Sequence, residues 1–485
     1  MSIDYVKVGL KSGLEIHQQI DSGKLFCRCP GYLRQDKPDY EIKRKLHAIA
    51  GESGEVDEAV KHEAALDREF VYQGYKDNCC LIELDEEPPK MINSEALDEV
   101  LKIALLLNCE IYTNTQVMRK TVIDGSNTSG FQRTFLIGHD GFIETSFGKV
   151  AVDTIALEED SARPGTSDNV EGDSKTRVWK LDRLGIPLVE IMTKPEMNNP
   201  EQIKECALKI GEILRACKVK RGIGTIRQDV NISIKGHDRV EIKGFQEPGM
   251  MIKTVDLEIL RQQKEITEGK SKGEVRGTLE SGETKFNRPM PGSARMYPET
   301  DLPLLKIPRS LINEVKKNLP QLREDAEKEF EKIGLNQEMI QILFKQNKIE
   351  EFKELLKILN EPNLIAKILL VYPREIASHE KKTQKEVEKM LNKDTLTFVV
   401  EKLRDKKISK EHLKSVLEKI VKGEEIEEAV SVKKQDIENA EEKIMKIIKA
   451  KPGLSENAYM GIVMKEIKGI SGKEAIEAIK KLLNK

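Results

Sequence analysis

Four short segments, far apart in the chain, carry polar side chains where a buried strand would carry apolar ones. Successive side chains of a strand point to opposite faces, so the polar residues of each segment share one face. One sheet that joined the four would gather carboxylates, an imidazole and cations over an apolar support. Crowded carboxylates need a cation, and their oxygens suit Mg²⁺. The pattern predicts a metal and phosphate site built from Gly13–His17, Leu157–Asp160, Arg227–Ser233 and Arg239–Lys243.

The candidate metal ligands are the acids of these segments and one histidine. Glu15 and His17 are two positions apart and share a face, and Asp229 and Glu241 alternate with apolar neighbours in the same way. An alternative is that each strand simply shows a solvated face, as antiparallel sheets often do. Adjacent acids of the second segment face opposite ways, so the spacing leaves three of them open: Glu158, Glu159 and Asp160.

Cationic side chains on the same strands are the candidates for phosphate contact. Arg227 and Lys243 have the required spacing, and surface cations are the alternative interpretation. Near-matches to a P-loop and to G-x-G-x-x-G lack a required glycine, because Lys264 or Arg227 stands in its place. If ATP binds, it is expected to bind through metal and cationic side chains on the sheet face. Further candidates of the same kind are Arg119, Lys120 and Arg183.

The elements that must position these residues belong to an α+β fold with a mixed or mostly antiparallel sheet. Asn93–Ser94 and Asn199–Pro200 each open a helical apolar stripe, between strand-like runs and Gly/Asn/Asp turns. After Pro308 the apolar spacing is helical throughout. We expect a catalytic domain over residues 1–305, a helical domain over 306–408 and a helical tail domain over 409–485.

Bulk composition excludes little. The chain has 485 residues, a net charge of −2 and 34% charged residues, which is typical of an ordinary soluble surface. We find no apolar run of membrane length and no apolar signal core, so the cytoplasm is the expected compartment. Seven cysteines without a regular framework indicate a reducing environment.

Longer motifs resemble the GatB/GatE family of tRNA-dependent amidotransferase subunits, nearly from end to end. Several, including Arg119–Thr134, look more like the archaeal-type E branch than the bacterial-type B branch. One departure is that E-branch members carry an insertion resembling part of an aspartyl-tRNA synthetase, where this chain has only Ile266–Glu274. The motifs that carry the resemblance are Val8–Gln19, Leu84–Pro89, Arg119–Thr134, Leu181–Ile191, Ala294–Asp301 and Asn457–Glu466.

The resemblance implies a catalytic domain similar to glutamine synthetase and an ATP-dependent, Mg²⁺-dependent ligase that forms a C–N bond. The γ-carboxylate of Glu-tRNA(Gln) would be phosphorylated and then amidated to give Gln-tRNA(Gln). We find no amidase signature in the sequence, so an asparaginase-like amidase partner, similar to GatD, is implied as the source of ammonia. The metal ligands that the family motif implies are Glu15, His17, Glu159, Asp229 and Glu241.

The tail is the part that the resemblance assigns to the outer body of the tRNA. From Val430 to Lys485 there are 12 Lys and 8 Asp or Glu, a net charge of +4. On charge alone a solvated helical face is the simpler interpretation. The remaining alternatives for the whole chain are a small-molecule carboxylate–amine ligase of the glutamine synthetase type and a non-catalytic tRNA-binding scaffold. The candidate metal ligands disfavour the scaffold.

Four cysteines form the close sets Cys27/Cys29 and Cys79/Cys80. Some members of the family carry a four-cysteine zinc site nearby, which these four would supply. The usual C-x-x-C pair is missing, however, and adjacent cysteines chelate one ion poorly. Buried, unreactive thiols are therefore the favoured interpretation.

Overall fold

The computed structural model describes residues 3–47, 54–166, 175–245, 247–290, 292, 296–346, 348–430, 434–466 and 472–483. The chain folds as two compact units, Met1–Arg323 and Glu324–Lys485. The predicted motif at Ala294–Asp301 lies partly outside the described residues.

Seventeen strands are described, and all of them belong to the first unit. Their bounds are β1 Lys11–Gln19, β2 Tyr40–Arg44, β3 Glu69–Gly74, β4 Glu110–Ile111, β5 Asn114–Thr115, β6 Met118–Thr121, β7 Phe131–Thr145, β8 Gly148–Glu159, β9 Arg163–Pro164, β10 Thr176–Lys180, β11 Pro187–Thr193, β12 Ile226–Ser233, β13 Val240–Phe245, β14 Glu274–Thr278, β15 Thr284–Pro289, β16 Met296–Pro298 and β17 Leu305–Lys306.

Helices are sparse in the first unit and make up the described elements of the second. Their bounds are α1 Tyr5–Val8, α2 Glu58–Ala64, α3 Ser94–Leu106, α4 Pro200–Ala216, α5 Pro248–Thr267, α6 Arg309–Lys317, α7 Arg323–Lys332, α8 Gln337–Lys345, α9 Ile349–Ile358, α10 Pro362–Ala366, a π-helical turn Lys367–Val371, α11 Tyr372–His379, α12 Gln384–Met390, α13 Lys393–Arg404, α14 Leu413–Lys422, α15 Ile426–Val430, α16 Lys434–Ala450, α17 Glu456–Glu466 and α18 Gly472–Leu483.

An 11-stranded mixed sheet forms the centre of the first unit. Its order is β15-β14-β13-β12-β1-β11-β8-β7-β6-β16, with β4 paired to β7. Neighbours are antiparallel except β13 and β14, which run parallel. A four-stranded sheet, β2-β3-β10-β9, and the pair β17-β5 complete the described strands. The predicted α+β class with a mixed, mostly antiparallel sheet is confirmed.

One face of the large sheet is apolar and covered by helices, as the alternation of β1 predicts. Leu14 and Ile16 are fully buried in one continuous core with Val230 and Ile242 of the neighbouring strands. Helices α3, α4 and α5 lie against this face. Burying a side chain of this size stabilises the fold by about 1.5–3 kcal/mol. The opposite face is left for polar side chains.

The two predicted helix starts are confirmed by their caps. The Asn93 side chain accepts hydrogen bonds from the backbone N–H groups of Glu95 and Ala96. The Asn199 side chain accepts one from the backbone N–H of Gln202, and Pro200 occupies the first turn. Both asparagines satisfy N–H groups that have no partner within the helix, which fixes where each helix begins.

The boundaries of the helical part differ from those predicted. Helix α6 begins after residue 305, yet its Val315 belongs to the core of the first unit. The predicted break at 408 falls inside a single apolar cluster that runs from Ala326 to Val430. A separate small cluster includes Tyr459 and Val463. Composition changes at 305 and 408, but packing changes near 323 and after 430. No helix in the described ranges combines the length and apolarity needed to span a bilayer.

Candidate functional site

The polar face of the large sheet is centred on β1 and its two neighbours. Glu15 lies opposite Asp229 of β12. His17 lies between Arg227 of β12 and Glu190 of β11. Directly paired residues of antiparallel strands share a face, so the register brings all five side chains together.

Two groups of potential metal ligands meet on this face and share His17. One group is Glu15, His17 and Asp229, and the other is His17, Glu158 and Glu190; in each, the ligand atoms lie within 4.8 Å of one another. The His17 Nε2 atom is 3.1 Å from Glu190 Oε1 and 3.6 Å from Glu15 Oε1. Carboxylate and imidazole ligands at this spacing suit a divalent cation such as Mg²⁺ or Mn²⁺.

Two lysines balance the carboxylates at either side of the face. Lys243 Nζ donates to Asp229 Oδ2 at 2.7 Å and also contacts Glu241. Lys120 Nζ donates to Glu158 Oε1 at 2.6 Å. Burial lowers the pKa of Lys243, but Asp229, Glu241 and Glu15 outweigh it and raise that pKa above its ordinary value. Lys243 is therefore a fixed cation beside the first ligand group, and Lys120 forms an ion pair beside the second.

Burial and neighbouring charges raise the pKa values of two β1 residues, Glu15 and His17. Burial raises the pKa of Glu15 to about 7, and the nearby Glu190 and Glu241 add to the effect while His17 and Lys243 oppose it. Burial lowers the pKa of His17, but its hydrogen bond to Glu190 and the surrounding carboxylates raise it above its ordinary value. Both groups therefore hold protons near neutral pH that a metal must displace.

Affinity for Mn²⁺ should rise between pH 6 and pH 8, because only ionised Glu15 and neutral His17 bind a metal. With the pKa of Glu15 at about 7, protonation of Glu15 alone should cost up to about tenfold in affinity for each pH unit below 7. Calorimetry in buffers of different ionisation enthalpy measures both the affinity and the protons released. Glu15→Gln should weaken binding and flatten the pH dependence; an affinity that does not change with pH would contradict the proton displacement.

Asp160 serves as an anchor for arginines instead of lying among the metal ligands. Its Oδ1 accepts from Arg227 at 3.0 Å, its Oδ2 accepts from Gln19 at 2.7 Å, and Arg183 approaches to 3.7 Å. Burial raises the pKa of Asp160, but Arg227 and Arg183 outweigh it and lower the pKa below its ordinary value. The buried carboxylate thus holds two predicted phosphate-binding arginines at the edge of the polar face.

Two predicted site residues, Glu159 and Arg119, lie on the opposite face, so their predicted place is wrong. The carboxylate of Glu159 accepts from the backbone N–H and the guanidinium of Arg133. Arg119 and Arg133 both donate to Glu299, at 2.5 and 2.7 Å. The reason is the alternation of side chains along β8: Leu157 points into the core, and Glu159, two positions later, lies on the same face. Glu158 is the acid that joins the ligands.

Glu190 is a site residue that the sequence pattern alone did not select, although it lies in the motif Leu181–Ile191. It lies between Val189 and Ile191, both fully buried, so the period-two alternation of β11 places its carboxylate on the polar face. The same reasoning from Ile155 and Leu157 would have selected Glu158 over Glu159.

A cavity of 1420 Å³ lies over the polar face. This exceeds the roughly 300–1,000 Å³ of ordinary small-molecule sites, so it has room for more than one substrate group. It is lined by ten of the predicted or newly found site residues, whereas Glu159 and Arg119 are absent from its described wall. The ten are Glu15, His17, Lys120, Glu158, Arg183, Glu190, Arg227, Asp229, Glu241 and Lys243.

The cysteines gather differently from the predicted set of four. Cys27, Cys29 and Cys80 converge with Glu83, whereas Cys79 hydrogen-bonds to Asn78. Hydrogen bonds from the other two thiols hold the pKa of Cys80 well below its ordinary value. Three thiols and a carboxylate are ligands that zinc accepts, so these four residues would suit a zinc ion, with Glu83 in the place predicted for Cys79.

A cavity floor of paired acids, histidine and fixed cations suits phosphates that are bound with a metal, and the comparisons point the same way. The GatB/GatE catalytic domain model matches residues 10–313. The chain belongs to the GatB/GatE family. Curated relatives named as the E component of glutamyl-tRNA(Gln) amidotransferase are 34% identical in Methanocaldococcus jannaschii (100% of each chain), 34% in Methanothermobacter thermautotrophicus (86% of this chain, 87% of the relative) and 30% in Pyrobaculum neutrophilum (96% and 97%).

The first of these relatives is longer than this chain. Its alignment runs over 637 positions and covers all of both proteins, whereas this chain has 485 residues. At least 152 positions of the alignment are therefore gaps in this chain. This agrees with the expected lack of a large insertion.

Proposed function

We propose that this chain is the ATP-dependent subunit that converts Glu-tRNA(Gln) to Gln-tRNA(Gln). The observation that carries the proposal is the pair of ligand groups sharing His17 on a floor with fixed cations. The names of the family's relatives supply the substrate. A catalytic domain similar to glutamine synthetase is part of the proposal, supported by the mixed sheet with one polar face.

The chemistry needs two steps, because a carboxylate is a poor electrophile. A γ-carboxylate oxygen attacks the γ-phosphorus of ATP, the bond to the β-phosphate oxygen breaks, and ADP leaves. Ammonia then attacks the acyl carbon, loses a proton, and phosphate departs with the C–O bonding pair. Phosphoryl transfer depends mostly on positioning and charge neutralisation.

The residues of the polar face divide this work. Lys243, Lys120 and Arg227 neutralise phosphate and carboxylate charge, and Asp160 keeps Arg227 oriented. When bound, Mg²⁺ would neutralise charge on phosphate oxygens, a contribution of several kcal/mol. Its ligands would come from the two groups centred on His17, with Glu241 beside them.

Ammonia should come from a partner, since the sequence carries no amidase signature. We propose an asparaginase-like amidase partner in a heteromer, with ammonia passed through a shielded route. The isolated chain should therefore amidate Glu-tRNA(Gln) from ammonium and ATP, and should do nothing with glutamine or asparagine as donor. The measurement is the glutamine content of deacylated tRNA after each reaction.

Three controls make this assay decisive. Omitting ATP should abolish product, and adding the amidase partner should restore the use of glutamine. Glutamine formed from free glutamate would instead support the small-molecule ligase, and tRNA binding without any product would support the scaffold. Ammonia released from glutamine by the pure chain would refute the division of labour.

A further inference from the structure

Trp179 is the chain's single tryptophan, and it lines the same cavity as the candidate site. It lies on β10, the strand that runs parallel to β3 in the smaller sheet. The cavity therefore has a polar floor on the large sheet and an indole on a wall from the smaller sheet. Neither the metal ligands nor the proposed phosphate contacts use this residue.

The indole is supported from behind and half-buried, with part of its surface left exposed. It packs against the apolar cluster that contains Phe70 and Tyr72. Its Nε1 atom is buried and has no hydrogen-bond partner among the described residues. Indole nitrogen can only donate, and buried donors are nearly always paired in native proteins. A half-exposed ring that is held from behind and lines a cavity offers a flat surface to a planar ligand.

The other aromatic residues of the cavity wall are already committed. Phe135 is 1% exposed and belongs to the main core. Tyr112 stacks on His139, with the ring centroids 4.4 Å apart. Trp179 forms no such ring pair with any described residue. Among the aromatic residues of the wall, it is therefore the candidate for stacking on a ligand.

We propose that Trp179 is the stacking platform for an adenine ring in this cavity. The inference rests on the proposed function, whose two substrates both end in adenine: ATP and the 3′-terminal adenosine of the tRNA. Aromatic side chains stack on bases because both have π faces, and removing one such contact weakens binding on the order of tenfold.

Polar groups that line the same cavity fit a nucleoside. Asp124 and Ser126 line it, and the Ser126 hydroxyl donates to Asp124 Oδ1 at 2.6 Å. That hydrogen bond and a second from the Ser126 backbone N–H hold the carboxylate in one orientation. A carboxylate fixed in the wall of the same cavity as the indole is suited to accept from a ribose hydroxyl or an exocyclic amine.

Because the chain has one tryptophan, its intrinsic fluorescence reports on this position alone. We would titrate the full chain with ATP, with tripolyphosphate, which has no base, and with the trinucleotide CCA. Saturable quenching by ATP but not tripolyphosphate is expected if the adenine of ATP stacks here. Quenching by CCA but not ATP would assign the platform to the tRNA end. Absence of quenching by both adenine-bearing probes would overturn the inference.

Affinity measurements on variants separate stacking from a general change in fold. Trp179→Leu should weaken binding of the quenching probe about tenfold, whereas Trp179→Phe should recover most of the affinity. The KM of the matching substrate, ATP or Glu-tRNA(Gln), should rise in Trp179→Leu while kcat changes little. Tyr112→Leu is the matched control on the same wall and should bind normally. Normal binding by Trp179→Leu, or a loss confined to Tyr112→Leu, would overturn the proposal. If Trp179→Leu binds the probe normally and still amidates Glu-tRNA(Gln), the stacking proposal fails and the proposed function stands. If the wild-type protein shows the quenching but no amidation, the proposed function fails and the stacking proposal stands.

Discussion

Glu15→Gln should reduce ATP-dependent formation of Gln-tRNA(Gln) on the order of a thousandfold while the protein stays folded. The substitution keeps the side chain's shape but removes the charge that the metal group around His17 requires. Metal-assisted charge neutralisation contributes several kcal/mol, and about 4 kcal/mol corresponds to that factor. Single-turnover assays with saturating ammonium measure the effect without depending on the partner.

The adjacent acids Glu158 and Glu159 provide a matched pair for the same experiment. Glu158→Gln should behave like Glu15→Gln, because its carboxylate belongs to the second ligand group. Glu159→Gln should keep most of the activity and instead lose about 1–3 kcal/mol of stability, because it weakens a buried contact to Arg133. Equal activity losses in both variants would contradict the assignment of the two faces, and normal turnover of Glu15→Gln would contradict the metal site.

Truncation after Val430 should weaken tRNA binding roughly ten- to a hundredfold and leave ATP binding unchanged. The removed segment carries a net charge of +4, and phosphate contacts release counterions. The slope of log affinity against log salt should therefore become shallower in the truncated chain. Because this chain is expected to lack the insertion of the E branch, the tail should carry a large share of the affinity. Equal affinities and equal slopes for the two proteins would reduce the tail to a solvated helical appendage.

The position of the cut follows from packing. A cut at 409 would remove Leu413, Leu417 and Val421, each buried in the cluster that ends at Val430. Losing several side chains of this size costs several kcal/mol each in cavity and transfer terms, so that truncation would damage the remaining helices. Circular dichroism on the protein cut after Val430 checks that the helices it retains are intact.

Local chemistry was readable from the sequence wherever a residue's role depends on its own neighbours. Period-two alternation around Leu14 and Ile16 placed Glu15 and His17 on one face, and asparagine caps marked the starts of α3 and α4. Boundaries were less accessible, because composition does not reveal which core a helix such as α6 joins.

What the sequence left open depends on pairing across strands. The partnership of His17 with Glu190 requires β11 beside β1, which no local spacing specifies. The gathering of Glu83, instead of Cys79, with the other cysteines requires the path of a loop. Both are long-range contacts, which local spacing does not specify. The choice of Glu158 over Glu159 is different, because the local alternation of Ile155 and Leu157 is enough to make it.

The opposite orientations of Glu158 and Glu159 couple activity to strand alignment. The pairing of β7 with β8 shifts at an irregularity between Leu136 and Gly138 and then sets Thr134 against Glu158. A one-residue slip of β8 would turn every one of its side chains to the other face. Glu158 would then enter the apolar layer and Glu159 the cavity, far from Arg133. A molecule that refolds with β8 shifted by one residue should therefore be inactive. Each molecule should be either fully active or inactive, so turnover measures the fraction of molecules in which β8 is correctly aligned.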